Sequence, residues 1–182
     1  MSAKRIAKDA LLTAVALILF TVENLFPPLL AFAPGAKIGL SNAAVLITLI
    51  IIGVPDAFEV LTLKCMLGAL VTGNMFSLAY SLPSSLTSLC VQTALYKTLF
   101  PKISLMAVSL SGATVFNIVQ LFVASLIAHA NMLPLLPLML IASAAAGLLI
   151  GAAVFFTVRL LPSAVIETAN EKEKQKEEVT PH

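Results

Sequence analysis

The sequence predicts an all-α integral membrane protein, a compact bundle of six transmembrane helices. Three observations lead there. The 182 residues are 59% hydrophobic and only 11% charged, where a soluble domain carries about a quarter charged residues. The mean hydropathy is +1.02. Most of the charge sits at the ends and in short gaps, and the apolar runs between approach the ~20 residues that cross a ~30 Å hydrocarbon core. None of them alternates with period two, which argues against a β-barrel. In lipid, backbone that is not in a closed barrel must be helical to satisfy its own hydrogen bonds.

The first segment is expected over Ile6–Phe26, stopped by Pro27-Pro28. Its length, its Glu23-Asn24 pair and the lack of a small-x-small cleavage site speak against a cleaved leader. The second runs over Ile38–Ile52 and the third over Ala57–Thr72, separated by Gly53-Val54-Pro55. The fourth is expected over Leu82–Leu99, the fifth over Leu105–Ala128 and the sixth over Leu135–Leu161, with Pro101 and Pro162 as stops. Proline lacks an amide donor and disfavours helix in the residue before it, so it marks such boundaries. Residues 1–165 then form the helical domain. Residues 166–182, rich in Glu and Lys, form a solvated tail with little to bury.

Orientation follows from the basic residues. Lys4, Arg5, Lys8, Lys97, Lys102 and Arg159 fall on one side and Lys37 alone on the other. Both termini are therefore expected in the cytoplasm, in a multi-pass protein of the cell membrane. The outer loops are longer and almost uncharged, and such loops on one face of a bundle commonly form a binding mouth. The stretch from Asn74 to Ser85, around Tyr80, reads as a lid.

Polar residues in apolar runs are costly and tend to face protein or a cavity. Glu23 and Asn24 lie at the outer end of the first helix, to meet headgroups or to line the mouth. Lys37 either snorkels or faces an anionic ligand. Ser41 and Asn42 stand in the first turn of the second helix, where they can cap it or present polar atoms to a ligand. Asp56 and Glu59 have the spacing of a capping box for the third helix. Lys64 is two turns further in, to snorkel back or to be held by a buried acceptor. Asn117 and Gln120, three residues apart, share a face of the fifth helix, for interhelical hydrogen bonds or ligand contact. His129 reads as a boundary residue. Ser143, Gly147 and Gly151 repeat a four-residue spacing suited to close helix packing. Cys65 and Cys90 read as small buried residues.

Several chemistries find no residues. There is no phosphate-binding glycine loop, no HExxH and no metal-spaced cluster. The two aspartates, Asp9 and Asp56, cannot form an aspartate-rich magnesium site. No basic patch with interleaved aromatics suggests nucleic acid. The chain is expected not to be an enzyme, to need no cofactor or metal, and to draw any energy for uptake from elsewhere.

Three stretches together carry a family resemblance. PGAKIGLSNAAVLITLIIIG, VLTLKCMLGALVTGN and SGATVFNIVQLFVASLIA resemble, in order, segments of the Gx transporter family. That family is also labelled heptaprenyl diphosphate synthase component I, and is related to the substrate-binding S components of energy-coupling-factor (ECF) transporters. The resemblance implies a six-helix protein that captures a vitamin-like molecule outside. It implies as partners a coupling transmembrane subunit and two ATPase subunits. Lys37, Gly39, Asn42, Asn117 and Gln120 match family positions. Lys64 stands where the family has arginine, so a bidentate contact there is lost. Phe116 stands where the family has histidine. Ala10 and Ala14 match the A-x-x-x-A face on which S components dock the coupling subunit.

The expected function is thus an S component that binds a small substrate through Glu23, Asn24, Lys37, Ser41, Asn42, Asn74, Tyr80, Asn117 and Gln120. An aromatic or isoprenoid-like ligand with a polar head, such as a flavin or quinone precursor, suits that mouth. The alternative is a non-catalytic scaffold subunit of a prenyl-lipid or electron-transfer complex. A carrier working alone is less favoured, since no acidic residue is evident at a bilayer midpoint.

Overall fold

The computed structural model describes residues 3–25 and 39–160. Among them are six α-helices and no strand: α1 (Ala3–Leu25), α2 (Leu40–Ile51), α3 (Val54–Thr72), α4 (Met75–Leu99), α5 (Leu105–Ala128) and α6 (Leu136–Leu160). A short 3-10 turn, Leu133–Leu135, leads into α6. Lys37, Pro34-Gly35 and the charged tail lie outside the described residues.

The helices wrap around the shortest of them. α2 has 12 residues and touches α1, α3, α6 and, more lightly, α4. Its Leu46 and Thr48 are fully buried, beside Val60 of α3, Val108 of α5 and Val154 of α6. α3 packs on α4, α4 on α5 and α5 on α6, so the chain closes around α2 with α1 outside it.

The α5–α6 seam is built on small residues. A methyl on Gly151 would stand 2.6 Å from the Met106 Cα, and one on Gly147 would stand 2.8 Å from the Leu110 Cα. With Ser143, which is buried, they form the small face anticipated from the sequence, and it serves packing within the bundle.

Around an apolar core, several polar side chains are buried and many large apolar ones are exposed. Asp9, Glu23, Asp56, Lys64, Gln92, Asn117 and Gln120 are buried, while Leu11, Ile18, Leu70, Phe76, Ile141 and Leu149 are each more than 60% exposed. Leu105–Ala128 and Leu133–Leu160 are long and apolar enough to cross a membrane.

Four expectations are corrected. α4 begins at Met75, seven residues before Leu82, so all of the expected lid but Asn74 is helix and not loop. Pro83 lies inside α4 and has no N–H for the carbonyl one turn back, and the neighbouring Ser84 hydroxyl donates to the Tyr80 carbonyl in the same turn. The Asp56–Glu59 capping box does not form. Pro55 is accommodated in the first turn of α3, so the helix starts at Val54 with Gly53 as its cap. α2 likewise starts on Gly39 without a side-chain cap, so Ser41 and Asn42 are free for other partners. Cys65 is buried as expected, but Cys90 is exposed on the outer side of α4.

Candidate functional site

The site is built on the cap residue just before α2. Gly39 has φ 80 and ψ 28, a left-handed conformation that a residue without Cβ adopts freely. Its carbonyl accepts from the Asn42 amide at 2.8 Å, closing the first turn. Its own N–H donates to Glu23 Oε1 at the far end of α1. A carboxylate against the start of a helix meets free amides and the positive end of the helix dipole. Glu23 is 6% exposed, so this contact stitches α1 to α2 inside the protein.

One turn further along, α2 receives a cation from α3. Lys64 Nζ donates to Asn42 Oδ1 at 2.7 Å and to Ser41 Oγ at 3.2 Å. Lys64 is 3% exposed, so of the two readings open for it, the buried acceptor is the one found. An ammonium has no acceptor, which fixes the oxygen of the Asn42 amide toward Lys64 and leaves Nδ2 as its other face.

These residues line a cavity of about 570 Å3, its open mouth included. Glu23, Gly39, Ser41, Asn42 and Lys64 form the polar wall. Phe20, Ala69 and Phe116 are apolar, and Tyr80, Ser81, Ser85 and Gln120 complete the lining from α4 and α5. Cys65 Sγ lies 3.8 Å from Ser85 Oγ, a weak contact across α3 and α4. A second cavity, of about 370 Å3 with its open mouth included, adjoins it. It shares Gly39, Asn42 and Phe116 with the first and adds Ser88, Gln92, Ser109 and Asn117. No charged side chain lines it.

Glu23, Ser41, Asn42, Tyr80 and Gln120 are therefore brought to the first cavity and Asn117 to the second. Asn24 is not: it is exposed, and its Nδ2 donates to the Phe20 carbonyl of its own helix at 2.7 Å. Asn74 is exposed in the turn between α3 and α4 and lines neither cavity. Lys37 falls outside the described residues. Ala10 and Ala14 are both exposed, on the side of α1 turned away from α2 and α3.

Reasoning from sequence passed over Ser88 and Gln92 on α4 and left Ser81 and Ser85 in the lid. They recur at intervals of four, three and four residues, the repeat of one helix face, and all four line a cavity. With α4 started at Leu82, Ser81 fell into a loop and the stripe lost its first member. Gln92 reaches α5 because of Gly112. A methyl on Gly112 would stand 2.1 Å from Gln92 Nε2, so that amide lies where a side chain would otherwise be. Beside it, Ser88 Oγ donates to the Gly112 carbonyl at 2.7 Å.

The cavities join a buried cation and a carboxylate to neutral amides and hydroxyls between apolar walls. Among the described residues no group of three or more His, Cys, Asp or Glu is placed to hold a metal ion. The arrangement is suited to holding a small molecule. Residues 12–157 match a family model described as heptaprenyl diphosphate synthase component I. Neither the curated proteins nor the solved structures contain a match to this chain.

Proposed function

Since the chain belongs to the heptaprenyl diphosphate synthase component I family, also known as the Gx transporter family, we propose that it is the membrane-embedded substrate-binding component of an ECF-type importer. The observation that carries this reading is the cavity beneath Gly39. Five helices contribute to it, and it holds a buried lysine and a buried carboxylate between apolar walls. A binding protein needs such a pocket; a scaffold does not.

The exposed large apolar side chains, together with the amides and charges held beside the apolar core, support insertion in a bilayer. The exposed Ala10 and Ala14 on α1 leave a small-residue face for a partner helix. In this reading the partners are a coupling transmembrane subunit and two ATPases, the termini are cytoplasmic, and the cavity opens outside. Lys97, Lys102 and Arg159 then lie on the inner side, as the positive-inside rule expects. The substrate is a small molecule with a polar head and an aromatic or isoprenoid-like body. A flavin or quinone precursor answers that description.

The family's description as a component of a heptaprenyl diphosphate synthase favours a second reading, a non-catalytic scaffold subunit of a prenyl-lipid enzyme complex, of which an electron-transfer complex is the variant. Mass spectrometry of the protein purified from its own cells in mild detergent separates the two. A coupling subunit with two ATPases and a bound metabolite is the expected result. A synthase or redox partner without any ATPase would replace the importer with the scaffold.

A further inference from the structure

The second cavity is uncharged, and one of its walls holds an acceptor that the protein does not use. Asn117 is 6% exposed, and its Oδ1 has no hydrogen-bond partner among the described residues. Leaving a buried carbonyl oxygen unmade costs free energy, so such an atom calls for a donor from outside the chain. Opposite in character is Asn42, which lines the same cavity. Its Oδ1 is committed to Lys64, so its Nδ2 is the donor it has left. Gln92, laid flat across Gly112, adds a second amide, and Phe116, Ala146 and Ile150 supply apolar walls.

The geometry points to a ligand head that is a neutral heterocycle with an N–H beside a carbonyl, a cyclic amide or imide, donating that N–H to Asn117 Oδ1. On the protein, Asn117 offers the acceptor and Asn42 the donor, both from the lining of this one cavity. A diphosphate does not suit this chamber, since an anion there would find no cation among its lining residues. A quinone does not suit it either, since it brings acceptors only. The inference rests on the reading of these cavities as the substrate site. It narrows the substrate to one that is recognised by hydrogen bonding at a neutral ring.

The test uses the full chain in detergent and three neutral imides of rising size: thymine, lumazine and lumichrome. Each is paired with its counterpart methylated at the imide nitrogen. Binding is read by calorimetry, and by ligand fluorescence where the ring allows. At least one imide is expected to bind, with methylation weakening it about tenfold or more, the scale of a buried hydrogen bond lost. Asn117→Leu should abolish the difference between the pair, and Asn117→Asp, which keeps an acceptor of the same shape, shows that the site itself survives if the imide still binds. Equal binding of imide and methyl-imide, no binding of any of the three, or tighter binding of farnesyl diphosphate or menadione overturns the inference. The importer reading fails separately. Loss of imide selectivity with ATPase subunits still co-purifying removes this inference alone. Imide selectivity without any ATPase partner removes the importer and leaves the binding site.

Discussion

Lys64 on α3 and Asn42 on α2 are joined by a 2.7 Å hydrogen bond inside the protein. The ammonium also reaches Ser41, so a single buried side chain holds the start of α2 from one side while Glu23 holds it from the other. Replacing Lys64 with methionine keeps the stem and removes the donor, leaving Ser41 Oγ and Asn42 Oδ1 without it. The expected loss is on the order of 1–3 kcal/mol, read as a lower melting temperature in detergent. Arginine, which also donates, should recover part of it. A Lys64→Met protein that melts with the parent would show that the bond contributes no stability.

Glu23 offers a more local readout. In Glu23→Ala the Gly39 N–H loses its acceptor, whereas Glu23→Gln keeps an oxygen there. Hydrogen exchange at the start of α2 should quicken markedly in the alanine variant and much less in the glutamine variant. Equal exchange in both would mean that the N–H is protected by something other than this carboxylate.

The glycines of the bundle should differ in cost. At Gly151 an added methyl meets the Met106 backbone at 2.6 Å, which gives only if α5 and α6 part. At Gly112 it meets the end of the Gln92 side chain, which can swing away. Gly151→Ala is expected to destabilise by about 1–3 kcal/mol, the range of overpacked cores. Gly112→Ala should melt closer to the parent yet bind ligand less well, because Gln92 is displaced from the cavity. The reverse ranking in thermal melts would contradict the seam described here.

Ala10 and Ala14 are exposed, so bulky replacements have room. Ala10→Leu with Ala14→Leu should leave ligand binding and melting unchanged while co-purification of the coupling subunit and ATPases is lost. Retention of those partners at parental yield would remove α1 as the docking face.

The cysteines test insertion in the bilayer. Cys90 is exposed midway along α4 and Cys65 is buried. Maleimides react with the thiolate, which needs water. In sealed native membranes a charged maleimide should modify neither residue, whereas in detergent Cys90 should react ahead of Cys65. Rapid labelling of Cys90 by the charged reagent in membranes would place that face of α4 in water.

The sequence resolved some of this well. α5 is expected and found at Leu105–Ala128, because Ser104 caps its start and the apolar run is uninterrupted. α4 was cut short because the serines and Asn74 around Tyr80 read as a lid loop, and that Met75 to Ser81 continue the helix ahead of an internal proline is not visible in a string of letters. The role of Lys64 was open for a related reason. Whether an intramembrane lysine snorkels or turns inward depends on which helix it faces, and Ser41 and Asn42 are more than twenty residues away in the chain. Asn24 illustrates the opposite case. It neighbours Glu23 in sequence, but a helix turns about 100° per residue, enough to bury one and expose the other.

The shortness of α2 bears on distance travelled. At roughly 1.5 Å per residue its 12 residues extend about 18 Å, against a hydrocarbon core of about 30 Å. In an inserted bundle whose α2 ends near the inner surface, a molecule resting against Gly39 is already on the order of a third of the way across. Diffusion and affinity alone carry it over that outer leg. In the importer reading, work from ATP is then needed only for the inner one, and for letting go.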